Sequence, residues 1–414
     1  MYTPERGAKF LLTKLTPLVL CLFPVCIQAQ DSTEGYMGSL APVMRSIQKE
    51  NGFRLDYFHR KGLPLSEWRR QGRAEVLRAL SYRPRTVPLD LKVHSTITRA
   101  GYQVRTISFA GSPHYRIPAY LLVPQKGKRP YPALVALHDH GGYFVHGKEK
   151  LVHTENEHPA LTEFKQELYG GRSVADELAK RGFVVLVIDA FYWGERRLRY
   201  DHPPVDMQAA LKGLRPEETR YVRALNNWLG LRRHDMNSSL FLVGATWLGI
   251  MNYDDRRSVD LLVSMPEVDP HRIGCVGLSI GGMRSTYLAG MDSRIKAAII
   301  TGWMTALPTT FDITHSVVAG LPDAPGLHAR LDHPDVATLA APECAIFVQN
   351  CGQDQLFTRA GMEEAAEKIR RVYQDLGHAE RFQMKFYDVP HQFNVQMQEE
   401  AFEWLEKWVG GSAR

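Results

Sequence analysis

Short, wholly apolar runs alternate with helical patterns along most of this 414-residue sequence, and few folds accommodate such an alternation. Strands that are buried on both faces of a parallel sheet give runs of this kind, and helices connect them. The runs are Ala133–Leu137, Val184–Ile188, Ile273–Val276, Ala297–Ile300 and Cys344–Val348. The sequence therefore predicts an α/β fold in which helices flank a mostly parallel central sheet.

Three strand-like runs precede the alternation and indicate a different kind of pairing. Turn residues at Ala100–Gly101 and Gly111–Pro113 separate them by only a few positions. Short connections of this kind join antiparallel neighbours. We therefore expect N-terminal antiparallel strands at Leu91–Thr98, Gln103–Phe109 and Arg116–Val123.

The N-terminus resembles an export signal peptide over residues 1–29. Arg6, Lys9 and Lys14 precede the uncharged run Leu15–Ile27, and a cleavage site follows it. The run is short for a bilayer span, so a retained membrane anchor is the less favoured alternative. We expect the signal to be cleaved and the protein to be secreted, into the periplasm or the medium, without a stable membrane anchor.

The remaining chain is expected to form a helical extension and one large domain. Amphipathic patterns predict a peripheral helical extension over residues 30–90, and residues 91–414 then form the main domain. Between residues 188 and 273 the connection is too long for a simple crossover. Residues 193–251 are therefore a candidate lid insertion over the carboxyl edge of the sheet, where ligands bind in such folds. An extra packing helix away from the site is the alternative.

A serine lies between a predicted strand and a predicted helix in the run Gly277–Gly282, which reads GLSIGG. The G-x-S-x-G pattern at such a junction is typical of a nucleophile elbow, in which glycines permit a tight backbone turn. Ser279 is then the predicted nucleophile. The backbone N–H of Ile280 opens the helix and is a predicted donor to an oxyanion.

The acid and the base of a catalytic triad should follow the nucleophile, each just after a late strand. Asp354 follows the last of the apolar runs, and His391 follows the strand-like run Phe382–Tyr387. We predict that His391 takes the proton of Ser279 and that Asp354 orients the imidazole. The alternatives are Asp388 as the acid and His378 or His328 as the base.

The loop after the first apolar run, His138–Tyr143 (HDHGGY), is the expected source of a second oxyanion donor. Gly142 is the favoured donor, with Tyr143 or Gly141 as alternatives. The histidines of the loop also suggest a metal site with His146 as a third imidazole, but no further cysteine or acidic pair stands at zinc-site spacing. We therefore expect no bound metal.

Two other function classes are disfavoured by the same region and by the charge. The loop nearly matches the phosphate-binding pattern G-x-x-x-x-G-K-[ST], but Glu149 replaces the hydroxyl residue that would hold magnesium. The net charge of +6 includes no dense basic run. We therefore expect neither nucleotide hydrolysis nor binding of nucleic acid.

Aromatic residues crowd the expected rim of the site. Tyr143, Trp193 and Trp303 lie beyond the ends of predicted strands, and we predict that they contact substrate. Aromatic faces suit sugar rings and aryl esters. Packing of the insertion onto the core is the alternative role for these side chains.

Four motifs together resemble the α/β-hydrolase superfamily: HDHGG after the first apolar run, GLSIGG at the elbow, and the later GQD and PHQF. Within that superfamily, residues 91–410 look closest to exported bacterial hydrolases related to dienelactone hydrolases and acetyl xylan esterases. The resemblance implies a triad and an oxyanion hole formed by Ser279, Asp354, His391, Ile280, Gly142 and Gly141.

The expected function is hydrolysis of a carboxylic ester through an acyl-enzyme intermediate, which needs no cofactor. We expect a small-molecule or carbohydrate ester as the substrate, because export suits substrates derived from polysaccharides. Prolyl peptidases share the fold and the triad order and are the enzymatic alternative, although no propeller-like repeat precedes the domain. A non-catalytic binding protein on the same fold is the alternative of another class.

Overall fold

A nine-stranded sheet forms the centre of the computed structural model, which describes residues 37–60, 62–312 and 323–410. The export signal predicted for residues 1–29 lies outside the described residues. The strands are β1 (Lys92–Arg99), β2 (Tyr102–Ser112), β3 (Tyr115–Pro124), β4 (Tyr131–Leu137), β5 (Val184–Ile188), β6 (Val268–Leu278), β7 (Ile295–Thr301), β8 (Ala345–Cys351) and β9 (Phe382–Tyr387). Each strand that the sequence predicts overlaps one of them.

The sheet has the mixed pairing that the sequence predicts. Strands β1, β2 and β3 form an antiparallel meander, and β3 pairs antiparallel with β5. The other pairings, along the order β5-β4-β6-β7-β8-β9, are parallel. The mostly parallel sheet with N-terminal antiparallel strands is thus confirmed. The carboxyl ends of its parallel strands meet at one edge, where ligands bind in such folds.

Helices cover both faces of the sheet, and none of those in the described ranges is long and apolar enough to cross a membrane. They are α1 (Ala41–Asn51), α2 (Leu65–Leu80), α3 (Pro159–Tyr169), α4 (Val174–Lys180), α5 (Val205–Leu211), α6 (Thr219–Leu242), α7 (Trp247–Val263), α8 (Ile280–Met291), α9 (His333–Thr338), α10 (Arg359–Asp375) and α11 (Val395–Leu405). Helices α2, α7, α8, α9 and α10 pack in the core on one face, and α3, α4 and α11 in the core on the other.

Strand β4 shows why the sequence has continuous apolar runs. Ala133, Val135 and Leu137 face one core, and Leu134 and Ala136 face the other. Successive side chains of a strand point to opposite faces of the sheet. Because both faces are covered by helices, every position along the strand must be apolar.

The N-terminal helices differ in how they pack. Helix α1 has one buried residue, Ala41, whereas α2 is part of the core. Trp68 on α2 is 1% exposed, and its indole N–H donates to the Leu55 carbonyl at 2.8 Å. Arg73 on the same helix donates to the Gly290 carbonyl near the end of α8. Helix α2 is therefore integral to the main domain, and the sequence-based description of it as peripheral is corrected.

The long connection between β5 and β6 holds α5, α6 and α7. Helix α7 packs directly on the sheet, and Trp247 at its beginning is buried. The added layer therefore consists of α5 and α6 and ends earlier than the predicted insertion 193–251. Helix α6 reaches the loop after β4, where the Asn226 carboxamide oxygen accepts the Phe144 N–H at 2.7 Å. The layer thus packs against the loop that was predicted to carry oxyanion donors.

The cysteines in the described part of the chain act as small apolar residues. Cys275, Cys344 and Cys351 are buried and free. Burial raises the pKa of the Cys344 thiol to about 12 and that of the Cys351 thiol to about 11. Both thiols are therefore protonated and unreactive at neutral pH.

Replacing Trp68 by alanine tests whether α2 belongs to the cooperative core. The substitution leaves a cavity beside Tyr57 and removes the hydrogen bond to Leu55, so we expect the free energy of unfolding to fall by about 3–5 kcal/mol. Urea denaturation followed by circular dichroism measures the change. The control Arg70→Ala, on the exposed face of α2, should leave the unfolding midpoint unchanged. An unchanged midpoint for Trp68→Ala would place α2 outside the core.

Candidate active site

Ser279 occupies a strained turn between β6 and α8. Its backbone has a φ of +59° and a ψ of −124°, a conformation that residues with a Cβ rarely adopt. The Ser279 N–H donates to the Thr301 carbonyl at 2.8 Å, which ties the turn to β7. A Cβ on Gly277 would collide with the backbone of Gly281, and one on Gly281 would collide with the Leu137 carbonyl. The glycines of the G-x-S-x-G pattern are therefore required by packing at the turn.

His391 and Asp354 form a hydrogen-bonded pair beside this turn. His391 Nδ1 lies 2.6 Å from Asp354 Oδ2, and the carboxylate is fully buried. Asp354 Oδ1 accepts the Leu356 N–H at 2.9 Å, which fixes the carboxylate in place. The imidazole lies against Gly302, where an added Cβ would be 3.1 Å from its Cε1 atom. Because Nδ1 faces the carboxylate, Nε2 is the nitrogen left to accept a proton.

The predicted triad residues converge on the end of β7. Ser279 contacts Thr301, and His391 contacts the adjacent Gly302. No hydrogen bond joins Ser279 Oγ to the imidazole among the described residues; in sites of this kind that contact commonly tightens only when substrate binds. The alternative acid and bases have other partners: Asp388 bonds to Gln353, His378 lies beside Glu380, and His328 bonds to the Leu331 carbonyl.

Backbone donors for an oxyanion come from two elements, but one predicted donor is already engaged. Ile280 is the first residue of α8, so its N–H belongs to the helical turn that lacks intrahelical partners. In the loop after β4, the Gly142 N–H donates to His140 Nδ1 at 2.9 Å, and the Tyr143 N–H donates to the His140 carbonyl at 3.1 Å. The Gly141 N–H has no partner in the described part of the chain. This conformation therefore favours Gly141 over Gly142, the reverse of the order expected from the sequence.

The histidines near this loop are held in the neutral state. Burial lowers the pKa of His140 to about 3 and that of His146 to about 4. Both ring nitrogens of His138 are bonded to backbone groups. Within the described ranges, no group of three or more His, Cys, Asp or Glu side chains is arranged to hold a metal ion.

Two buried lysines support the loops at the edge of the sheet, and neither was predicted as a site residue. Lys148 Nζ lies 2.8 Å from Oδ2 of Asp189, the residue that directly follows β5. Burial opposes the charge of Lys148, but the neighbouring carboxylates raise its pKa above the usual value. Lys150 donates to the carbonyls of Asp139 and His140. Lys148, the lysine in the near-match to the phosphate-binding pattern, therefore has a structural role. In the sequence, these two buried lysines were indicated only by their position beside a glycine-rich loop.

The three aromatic residues predicted to contact substrate have different surroundings. Trp193 is fully buried and stacks against Phe144 and Trp247, each with ring centroids 5.2 Å away. In this conformation it packs the insertion onto the core, the alternative role, although its indole N–H has no hydrogen-bond partner in the described part of the chain. Tyr143 and Trp303 keep a small exposed fraction, 8% and 7%, and the Tyr143 hydroxyl and the Trp303 indole N–H likewise have no hydrogen-bond partner among the residues described. Those two stay predicted substrate contacts.

Comparisons with known proteins agree with the fold. The model of the dienelactone hydrolase family matches residues 165–406. YtaP of Bacillus subtilis (strain 168), a protein assigned as a hydrolase, is 23% identical over 350 residues, which cover 82% of this chain and 100% of YtaP.

Solved structures of two esterase-named proteins share the architecture. A Bacteroides fragilis protein assigned as an acetyl xylan esterase aligns with a TM-score of 0.61 at 18% identity, over 83% of this chain and 81% of that protein. A glucuronoyl esterase from Solibacter usitatus aligns with a TM-score of 0.55 at 13% identity, over 85% of this chain and 93% of the esterase. The α/β-hydrolase fold predicted from the sequence is thus confirmed.

The Asp354–His391 pair predicts a selective loss of serine reactivity. Asp354→Asn keeps the shape of the side chain but removes the charge that holds the imidazole, so phosphonylation of Ser279 by a fluorophosphonate should slow on the order of 10⁴-fold. The matched control Asp388→Asn should label at the wild-type rate. Mass spectrometry of the Ser279 peptide over time measures both rates. Equal slowing in the two variants would contradict the role assigned to Asp354.

Proposed function

Because the chain belongs to the dienelactone hydrolase family, we propose that it hydrolyses carboxylic esters with Ser279 as the nucleophile. The observation that carries this proposal is the Asp354–His391 hydrogen bond beside a serine held in a strained strand-to-helix turn. A serine hydroxyl is a weak nucleophile until an adjacent base removes its proton. The turn supplies the nucleophile, and the buried pair supplies an oriented base.

The reaction proceeds in two halves. In the first, Ser279 Oγ attacks the ester carbonyl while His391 Nε2 accepts the serine proton. Asp354 keeps the imidazole in the tautomer that is protonated at Nδ1 and stabilises the imidazolium. The Ile280 N–H and an N–H of the loop after β4 donate to the oxyanion of the tetrahedral intermediate. His391 then protonates the leaving alcohol, and in the second half water cleaves the acyl-serine with the same groups.

Esters of carbohydrates are the proposed substrate class. The structural neighbours named for acetyl xylan and glucuronoyl esterase activity support this proposal. So do Tyr143 and Trp303, because an aromatic ring with an unpartnered polar atom suits a sugar that has an apolar face and hydroxyl edges. Export directed by residues 1–29 would bring the enzyme to polysaccharide-derived substrates.

Turnover of p-nitrophenyl acetate by wild type and Ser279→Ala tests the chemistry. Loss of the nucleophile should lower kcat by at least about 10⁴-fold. Ser285→Ala on α8 is the matched control, because the buried Ser285 hydroxyl has no hydrogen-bond partner in the described part of the protein and should be dispensable. A wild-type rate in Ser279→Ala would contradict the proposed function.

A substrate panel tests the substrate class separately from the chemistry. The quantity to measure is kcat/KM for acetylated xylo-oligosaccharides, p-nitrophenyl acetate and prolyl p-nitroanilides. A carbohydrate site predicts a kcat/KM about tenfold or more higher for the acetylated oligosaccharide, equivalent to about 1.4 kcal/mol of added transition-state binding. Equal values for the two acetyl esters would contradict the substrate class and leave ester hydrolysis intact. Preferred cleavage of the prolyl amide would favour the peptidase alternative.

A further inference from the structure

The ammonium group of Lys150 is enclosed beneath the loop after β4. Lys150 is 0% exposed, and its Nζ lies 2.9 Å from the Asp139 carbonyl oxygen, 3.1 Å from the His140 carbonyl oxygen and 3.4 Å from Asp139 Oδ2. The Tyr169 hydroxyl donates to the other oxygen of the same carboxylate at 2.5 Å. A buried cation needs acceptors for its donors, and here one short loop provides them. Two successive carbonyls of the loop are thus held by one amino group, whose pKa burial lowers and the neighbouring Asp139 carboxylate raises.

This contact fixes the direction of two backbone N–H groups. In a planar trans peptide unit the N–H points opposite to the carbonyl. The two units whose carbonyls face Lys150 carry the N–H groups of His140 and Gly141, which therefore point away from the ammonium. Neither N–H has a hydrogen-bond partner in the ranges that the structure describes.

The next two backbone N–H groups, of Gly142 and Tyr143, already donate hydrogen bonds within the loop. The Gly142 N–H donates to His140 Nδ1, so the neutral His140 ring carries its proton on Nε2. The Tyr143 N–H donates to the His140 carbonyl. Gly141 is exposed with a φ of +53°, and a Cβ there would collide with the Asp139 carboxylate. The loop therefore presents the Gly141 N–H from a position that only glycine can occupy.

The start of this loop lies directly against the serine turn. A Cβ on Gly281 would collide with the Leu137 carbonyl and would lie 3.2 Å from the His138 carbonyl oxygen. The first turn of α8, which begins at Ile280, is therefore in backbone contact with the end of β4. The N–H groups of Ile280 and Gly141 belong to two adjoining segments at the same edge of the sheet.

We propose that Lys150 is a positioning residue that holds the Gly141 N–H, rather than the Gly142 N–H, as the second oxyanion donor. This inference rests on the proposed ester hydrolysis at Ser279. Lys150 acts through the two carbonyls that it binds and touches no substrate. The Asp139 carbonyl also accepts the His138 Nδ1–H, and the His140 carbonyl also accepts the Tyr143 N–H, but Lys150 is the one group among the described residues that binds both. Without the ammonium the Gly141 N–H loses its fixed direction, so the transition state loses a donor while binding of the substrate is retained.

Lys150→Met tests this role against the matched control Lys165→Met. Lys165 is a third buried lysine, and its ammonium pairs with the Glu157 carboxylate and donates to the Val152 carbonyl and the Ser173 hydroxyl, all outside the donor loop. Loss of one oxyanion donor typically costs about 10²–10³-fold in kcat, and we expect that loss for Lys150→Met with an unchanged KM for p-nitrophenyl acetate. Lys165→Met should keep the wild-type kcat even where its Tm falls as far as that of Lys150→Met.

Amide resonances of the wild-type protein give a direct readout of the donor. The protein is labelled with [15N]glycine and [15N]isoleucine and then phosphonylated at Ser279 with a fluorophosphonate, which places a phosphoryl oxygen where the oxyanion would form. The amide protons of Gly141 and Ile280 should move downfield as they become hydrogen-bonded, and that of Gly142 should not.

Two results would overturn the inference. One is a wild-type kcat in folded Lys150→Met, and the other is a downfield shift at Gly142 with none at Gly141. The resonance experiment needs only wild-type protein, so it decides the question if Lys150→Met does not fold. Failure of the fluorophosphonate to label Ser279 would instead contradict the proposed ester hydrolysis itself.

Discussion

The strained backbone turn at Ser279 is held in place by the elements that surround it. A positive φ at such a residue costs about 1–3 kcal/mol and persists only where the surroundings determine it. Here the end of β7 accepts the Ser279 N–H, and the end of β4 touches the first turn of α8. Because the strands are buried on both faces, the turn cannot relax without disturbing both cores. The serine is thereby fixed at the carboxyl edge of the sheet.

Buried ion pairs also hold the helices and loops around Ser279 in place. Arg284 in α8 binds Asp255 in α7 through two hydrogen bonds, of 2.6 and 3.0 Å, and both side chains are buried. Lys148 and Lys150 hold the loops at the ends of β4 and β5 through carboxylates and carbonyls. Breaking a buried pair at one partner typically costs about 3–5 kcal/mol, so these pairs favour one arrangement of the edge. Electrostatic stabilisation of an oxyanion depends on donors that are fixed in this way before the reaction.

The sequence predicts structure best where burial determines which residue types can occupy a segment. Strands buried on both faces appear as apolar runs, and the triad candidates could be found because each follows a strand. Trp193 shows the limit: an aromatic residue after a strand predicts a rim contact and a core contact equally well, and only tertiary packing decides between them. Lys150 could not be predicted, since a buried lysine and a solvated one look alike in a sequence. The engagement of Gly142 depends on the orientation of the His140 ring, which no local pattern encodes.

If ester cleavage passes through an acyl group on Ser279, rapid acid quenching of a p-nitrophenyl acetate reaction should trap that group on the enzyme. Peptide mass spectrometry of the quenched wild-type enzyme should find one acetyl group on the peptide that contains Ser279, at a level that follows the burst of released p-nitrophenol. Rapid turnover with no acetyl group on that serine at any quench time would show that Ser279 is not the nucleophile.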